Sequence, residues 1–245
     1  MKKILFSISA VLVISMQAEA GGNVEELPPV PSTPVVTSPT FTDNWSGAYI
    51  GIQGGYIQGE GDIVLNKKLN NTKNTYKTTL KPKGGIGGVY VGYNKLLEND
   101  WVTGVELALN YTNIKKSGKV GNNDFTLKQK GDVALYGKVG KIVDNDKTLL
   151  AYLLGGVSGT TLEGGLKVSG VTLWNNDTVY GLTVGGGIEY MINQDWNMRL
   201  QYRFSKYSDA NLDYYNSTPN GVESYDLKVK DYKTHSIMLG VSRHF

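Results

Sequence analysis

The chain contains no cysteine. A disulfide scaffold, a cysteine–zinc site, an iron–sulfur cluster and a cysteine nucleophile are therefore excluded. Histidine is nearly absent. His235 and His244 are the two in 245 residues, too few for a multi-histidine metal centre, so no metal site is expected. Charged residues make up only 19%, and 25 Lys+Arg against 22 Asp+Glu leave a net charge of +3. That mild basicity is unclustered, which argues against nucleic acid as a partner. Phe is scarce, 5 against 16 Tyr. Past the N-terminus, no run approaches the 18 or so apolar residues of a membrane-spanning helix, so helical spans are excluded too.

Glycine is abundant, 31 in 245 residues, against a usual level of about 7%. Many glycines and tyrosines, few charges and a mean hydropathy of −0.26 do not suit a helical enzyme. A hydrophobic content of 40% also argues against disorder.

The N-terminus reads as an address. Lys2 and Lys3 precede an apolar stretch, Ile4 to Met16, and Ala18-Glu19-Ala20 supplies a small-x-small cleavage pattern. The apolar stretch is too short to span a hydrocarbon core that needs about 20 residues. Residues 1–20 are therefore expected to be a cleaved signal peptide. Residues 21–44 carry Pro28, Pro29, Pro31, Pro34 and Pro39, a density that favours extended chain. They are expected to form a periplasmic linker ahead of a domain over residues 45–245.

From Trp45 onward the period is two. Trp101, Thr103, Val105, Leu107, Leu109 and Tyr111 share one face, opposite Val102, Gly104, Glu106, Ala108 and Asn110. Trp196, Met198, Leu200, Tyr202 and Phe204 likewise stand opposite Asn197, Arg199, Gln201, Arg203 and Ser205. Related alternation over 48–58, 84–94, 126–143, 149–158, 180–190 and 236–245 makes eight candidate strands. A soluble sandwich also alternates, but here the apolar faces end in Trp or Tyr, as membrane-barrel girdles do. Connections alternate as well. Leu96 to Asp100, Asp144 to Lys147 and Met191 to Gln194 are short. Gly59 to Thr79, Lys115 to Phe125, Gly159 to Val179 and Lys206 to Tyr232 are long, and are read as external loops. These features predict an all-β fold, an eight-stranded antiparallel up-and-down transmembrane β-barrel.

An eight-strand interior is narrow enough for side chains to fill. The inward faces carry Glu106, Asp132, Lys138, Glu189, Arg199 and Arg203. The strand order predicts that Glu189 reaches Arg199 or Arg203, and that Glu106 reaches them across the lumen. These four residues are the expected charge cluster closing the passage. A narrow ion path is the alternative. The basic run Lys115, Lys116, Lys119 could meet lipopolysaccharide phosphates.

The strands resemble a family of small alphaproteobacterial outer-membrane proteins that includes major surface antigens and haemin-binding proteins. The resemblance is carried by Trp45-Ser46-Gly47-Ala48-Tyr49-Ile50-Gly51 with Gly54-Gly55-Tyr56, by Gly87-Gly88-Val89-Tyr90-Val91-Gly92-Tyr93-Asn94, by Gly104-Val105-Glu106, and by the ending Leu239-Gly240-Val241-Ser242-Arg243-His244-Phe245. Arg243 stands where the family usually has Tyr. The resemblance implies the porin-family barrel domain, the Gram-negative cell outer membrane, and contact with outer-membrane lipids and lipopolysaccharide. It also implies that Val241 and Phe245 belong to a terminal-strand signal read by the barrel-assembly machinery. Haemin or host surface molecules are the partners the resemblance offers, with haem as the one cofactor to consider and His235 as its candidate ligand. The expected function is a non-enzymatic surface protein with a structural, adhesive or haemin-binding role. A narrow channel for small solutes comes second, and an outer-membrane lipid-modifying enzyme third.

Overall fold

The computed structural model describes residues 45–69, 72–120, 123–168, 171–218 and 221–245. The expected signal peptide and linker lie outside these residues. Ten strands follow in order: β1 (Gly47–Leu69), β2 (Thr72–Leu80), β3 (Lys83–Leu96), β4 (Trp101–Val120), β5 (Asn123–Ile142), β6 (Leu149–Val168), β7 (Val171–Met191), β8 (Trp196–Tyr207), β9 (Ala210–Thr218) and β10 (Gly221–His244). Eight of them form a closed antiparallel ring, β1-β3-β4-β5-β6-β7-β8-β10, in which β10 pairs back onto β1. β2 lies along the far half of β1, and β9 along the far half of β10. Closure is obligatory in lipid, because an open edge would leave backbone donors and acceptors without partners.

The two chain-end strands meet tightly at the seam. Gly47 has φ +130, and a Cβ there would lie 2.3 Å from the Phe245 carbonyl oxygen. Only glycine allows this approach, which lets the Phe245 N–H donate to the Ala48 carbonyl at 2.9 Å.

Tight turns join β3 to β4, β5 to β6 and β7 to β8 at one end of the ring. Asn99, Asp100 and Lys147 take positive φ there, a conformation that the short polar side chains of Asn99 and Asp100 tolerate well. Asp144 organises the β5–β6 turn. Its carboxylate accepts from the Thr148 N–H and hydroxyl and from the Leu149 N–H, at 2.7–2.9 Å. Burial alone would raise its pKa, but these donors outweigh burial and hold it below the usual aspartate value.

Outward positions over the ring's lower half are apolar, with Ile52 68% and Leu182 70% exposed. Rings mark the band's edges: Trp101 and Tyr111 on β4, Tyr190 and Tyr180 on β7. Each pair is ten steps apart. At about 3.3 Å per step and a tilt near 40°, that gives roughly 25 Å, the height of an apolar membrane band.

Beyond this band the structure departs from the sequence expectation. The four segments read as external loops are largely strand. β4 and β5 stay paired to Val120 and Asn123, and β6 and β7 to Val168 and Val171. Their inward side chains reverse polarity. Ile63, Leu65, Phe125, Leu127, Leu162, Leu166, Leu212, Leu227 and Val229 are buried in one apolar cluster. The physical reason is the change of solvent. In lipid the outer wall must be apolar, whereas in water it must be polar and the inside takes the hydrophobic residues. Register shifts between Glu60 and Asp62, Tyr111 and Ile114, and Gln129 and Asp132 sit at this changeover. Bulges of this kind re-aim the side chains that follow them.

Candidate functional site: the barrel interior

The inward side chains within the membrane band form a layered polar filling. Each of its six charges is almost wholly buried. The Arg199 Nη1 donates to Glu106 Oε2 at 2.6 Å, and its guanidinium lies 3.5 Å from the Tyr90 ring centroid. The Tyr49 and Tyr136 hydroxyls each donate to Glu106 at 2.7 Å. Lys138 Nζ meets Glu189 Oε2 at 3.1 Å and stands 5.0 and 4.9 Å from the rings of Tyr49 and Tyr152. Arg203 Nη2 donates to Asp132 Oδ1 at 2.6 Å, and the Tyr207 hydroxyl donates to Asp132 Oδ2 at 3.0 Å.

A chain of amides ties two of these pairs together. Arg199 Nη2 donates to Gln53 Oε1 at 2.7 Å, Gln53 Nε2 to Asn110 Oδ1 at 2.6 Å, and Asn110 Nδ2 to Asp132 Oδ1 at 2.9 Å. Three carboxylates thus face three cations, all in low dielectric, where an unpaired charge would be costly.

The structure brings Glu106, Glu189, Arg199 and Arg203 into this one interior but distributes them differently from the sequence expectation. Glu189 and Arg199 are level on neighbouring strands, yet their side chains part. Arg199 crosses the lumen to Glu106, and Glu189 turns to Lys138. Arg203 takes Asp132, not a glutamate. The reason is reach. Side chains adjacent on a concave wall run side by side, while long ones converge on the opposite wall. Parity of position marked Lys138 and Asp132 as inward, but it carried no information about which cation would cross to which acid.

Both ends of the filling are closed. Trp45 is fully buried beneath β1, in a cluster with Val102, Ile142, Leu150 and Met191, and its indole N–H donates to the Lys147 carbonyl at 2.8 Å. At the far end stands the apolar cluster of the extended strands.

The two histidines are far apart in role. His244 is buried, stacked on Tyr49 at 5.0 Å, with Nε2 2.9 Å from Asn197 and 3.5 Å from Glu189. His235 is exposed on the outer wall. Its Nδ1 is 2.7 Å from the Tyr202 hydroxyl, and its ring packs at 4.9 Å on Phe204. A haem ligand needs an apolar slot enclosing the porphyrin around its iron-binding nitrogen. His235 instead stands exposed on the open outer wall, tilted against the Tyr202 and Phe204 rings with no enclosing slot around it among the described residues, so the residues present do not fit haem. Val241 faces outward on β10, and Phe245, the residue after that strand ends, is 70% exposed with the Arg243 guanidinium 5.4 Å from its ring.

Comparison with known proteins agrees with this architecture. Residues 7–245 match the family described as outer membrane protein beta-barrel domain. The 31 kDa outer-membrane immunogenic protein of Brucella melitensis is 30% identical over 217 residues, covering 85% of this chain and 88% of that protein. The 22 kDa outer membrane protein of Rhizobium leguminosarum bv. viciae is 28% identical, covering 82% and 79%. Among solved structures, the outer membrane protein OprG from Pseudomonas aeruginosa shares the fold with a TM-score of 0.50 at 16% identity, covering 82% of this chain and 97% of that one.

Proposed function

This chain belongs to the outer-membrane β-barrel family and resides in the outer membrane of a Gram-negative cell, and from that premise we propose that it is a non-enzymatic, closed surface protein. It serves as a structural scaffold that holds a rigid, strand-built storey above the lipid as an adhesive and antigenic face. The observation that carries this reading is the filled interior: three ion pairs sealed between Trp45 below and the apolar cluster above. Among the described residues of the membrane band, the inward Glu106, Asp132 and Glu189 are each engaged by a Lys or Arg, which supports a structural reading of these carboxylates. The name immunogenic protein, borne by the Brucella relative, is consistent with an exposed outer storey.

The test is conductance. The protein folded from detergent into planar lipid bilayers should give no steady single-channel current. A persistent, voltage-independent open current through the unmodified protein would replace this reading with that of a narrow channel.

A further inference from the structure

We propose that the outer wall between Tyr111 and Tyr180 is a docking site for one phosphorylated glycolipid of the outer leaflet, a lipopolysaccharide, with an acyl chain in a glycine-floored groove and phosphate on the lysines above it. The proposal rests on the outer-membrane placement and is independent of whether the lumen conducts.

The groove crosses β4 to β7 at the top of the apolar band and has a volume of about 590 Å³. Tyr111 and Tyr180, 70% and 71% exposed, stand as its side walls. Its floor is Gly131 and Gly159. A Cβ at Gly131 would meet nothing nearer than the Asn110 carbonyl oxygen at 3.8 Å, so the space over it is open. At Gly159 the Tyr180 ring lies 3.1 Å from where a Cβ would be, so that ring rests on the bare backbone. Thr161 and Thr178 form the upper lip, and Val133 lies in the lower part. The volume is in the range of ligand pockets, but this one opens sideways into lipid, where an acyl chain is the available occupant.

Directly above stand cations. Lys130 precedes Gly131 and pairs with Glu163. One tier higher, Lys115 and Lys128 are Cα partners on β4 and β5, and Glu163 is the Cα partner of Lys128 on β6. Lys83 opens β3, the neighbour of β4. Among the described residues, Lys83, Lys115 and Lys128 have no carboxylate within ion-pair distance. Lys128 is held in place 4.2 Å over the Trp174 ring. Lys130 and Lys128 stand one and three steps past the Gly131 level, roughly 3–8 Å above the ring girdle, which is the depth of the headgroup layer. A groove for a chain and cations at headgroup height belong together on a lipid that carries phosphate. The outer leaflet supplies such a lipid as a phosphorylated glycolipid.

The test uses the full chain folded in detergent micelles, with bound lipid read by native mass spectrometry. The probes are bisphosphorylated lipid A, enzymatically dephosphorylated lipid A and phosphatidylglycerol. Lipid A with its phosphates should be retained well above the other two. The double substitution Lys115→Gln with Lys128→Gln should weaken retention roughly thirtyfold, at about a fivefold factor per cation near an anionic surface. Gly131→Leu should weaken it with the lysines intact, and Lys95→Gln at the opposite rim should leave it unchanged. Folding of each variant is checked by heat-dependent mobility on gels, and the comparison between lipids needs no variant. Equal retention of phosphorylated and dephosphorylated lipid A would overturn the proposal. So would phosphatidylglycerol binding as well as lipid A, or folded variants that bind like the parent.

Discussion

Lys138 shows how much depends on one side chain in the filling. It is almost fully buried, has Glu189 as its counter-charge and is flanked by two tyrosine rings. Lys138→Met keeps the bulk and leaves Glu189 with Asn197 and His244 alone. Breaking a buried pair from one side costs about 3–5 kcal/mol, and those two remaining partners put the expected loss near the lower figure. Lys138→Met with Glu189→Gln should recover part of it, because no charge is then stranded. Urea unfolding in micelles, followed by tryptophan fluorescence, checks both. A single variant as stable as the parent would mean that the pair is hydrated. Asp144 makes a second residue-level case, at the β5–β6 turn. Its folded pKa is depressed, so its contribution is complete above the ordinary aspartate range and is lost as pH falls through the lower folded value. Asp144→Ala should cost about 1 kcal/mol near neutrality and flatten the acid limb of a stability-versus-pH curve. An unchanged acid limb would show that the turn hydrogen bonds do not report on folding. In the sequence, parity placed Lys138 inward, and a short connection placed Asp144 in a turn. Their partners were illegible, because no local pattern encodes contacts that cross a lumen.

At the scale of the strand, alternation is readable wherever one face meets lipid. β8 shows it without interruption, with Trp196, Met198, Leu200 and Tyr202 exposed and Asn197, Arg199, Gln201 and Arg203 buried. Leu200 lies four steps above the Trp196 girdle, about 10 Å up the normal and close to mid-bilayer. Leu200→Arg should therefore cost about 2–4 kcal/mol in lipid vesicles. Gln201 is one step away but wholly buried, accepting from the Tyr152 hydroxyl at 2.9 Å, so an arginine there meets packing and charge, not hydrocarbon. Spin labels at the two positions should differ sharply in accessibility to a lipid-soluble relaxer, and equal accessibility would contradict the strand's orientation. The strand extensions escaped the sequence reading even though they alternate too. Tyr225, Leu227 and Val229 stand opposite Asp226, Lys228 and Lys230. The expectation was an apolar outer face over about 9–11 residues per strand. Past the girdle the apolar face turns inward, and bulges reset the phase on the way, so a strand of 24 residues such as β10 looked like a short strand and a loop.

For the whole molecule, the polarity reversal means that one ring serves two solvents, and the water-exposed storey has a hydrophobic core of its own. Flexible external loops and a packed strand storey differ in what a protease can reach. The storey carries Lys115, Lys116, Lys119, Lys130 and Lys167 on exposed positions, so trypsin sites are plentiful. Cleavage needs the backbone to leave its ladder, and β4 and β5 stay paired from Lys115 and Lys128 out to Val120 and Asn123. Trypsin added to intact cells should therefore cut this hairpin slowly, at the rate of local opening. Leu127 is 1% exposed at the centre of the apolar cluster. Leu127→Asp would bury a carboxylate with no counter-charge, at a cost of several kcal/mol, and should open the storey while leaving the lipid-spanning ring intact. In the variant, fast fragments ending at the lysines of β4 and β5 should appear by mass spectrometry, while a residual membrane-embedded core keeps its heat-dependent mobility. Leu107→Asp on the lipid face of the same strand should instead impair insertion and yield little protein in the membrane to be cut. If trypsin cuts the unmodified hairpin as fast as the Leu127 variant, the outer segments behave as the free loops that their length and charge suggested. The closed surface scaffold would then lose the rigid platform on which it depends.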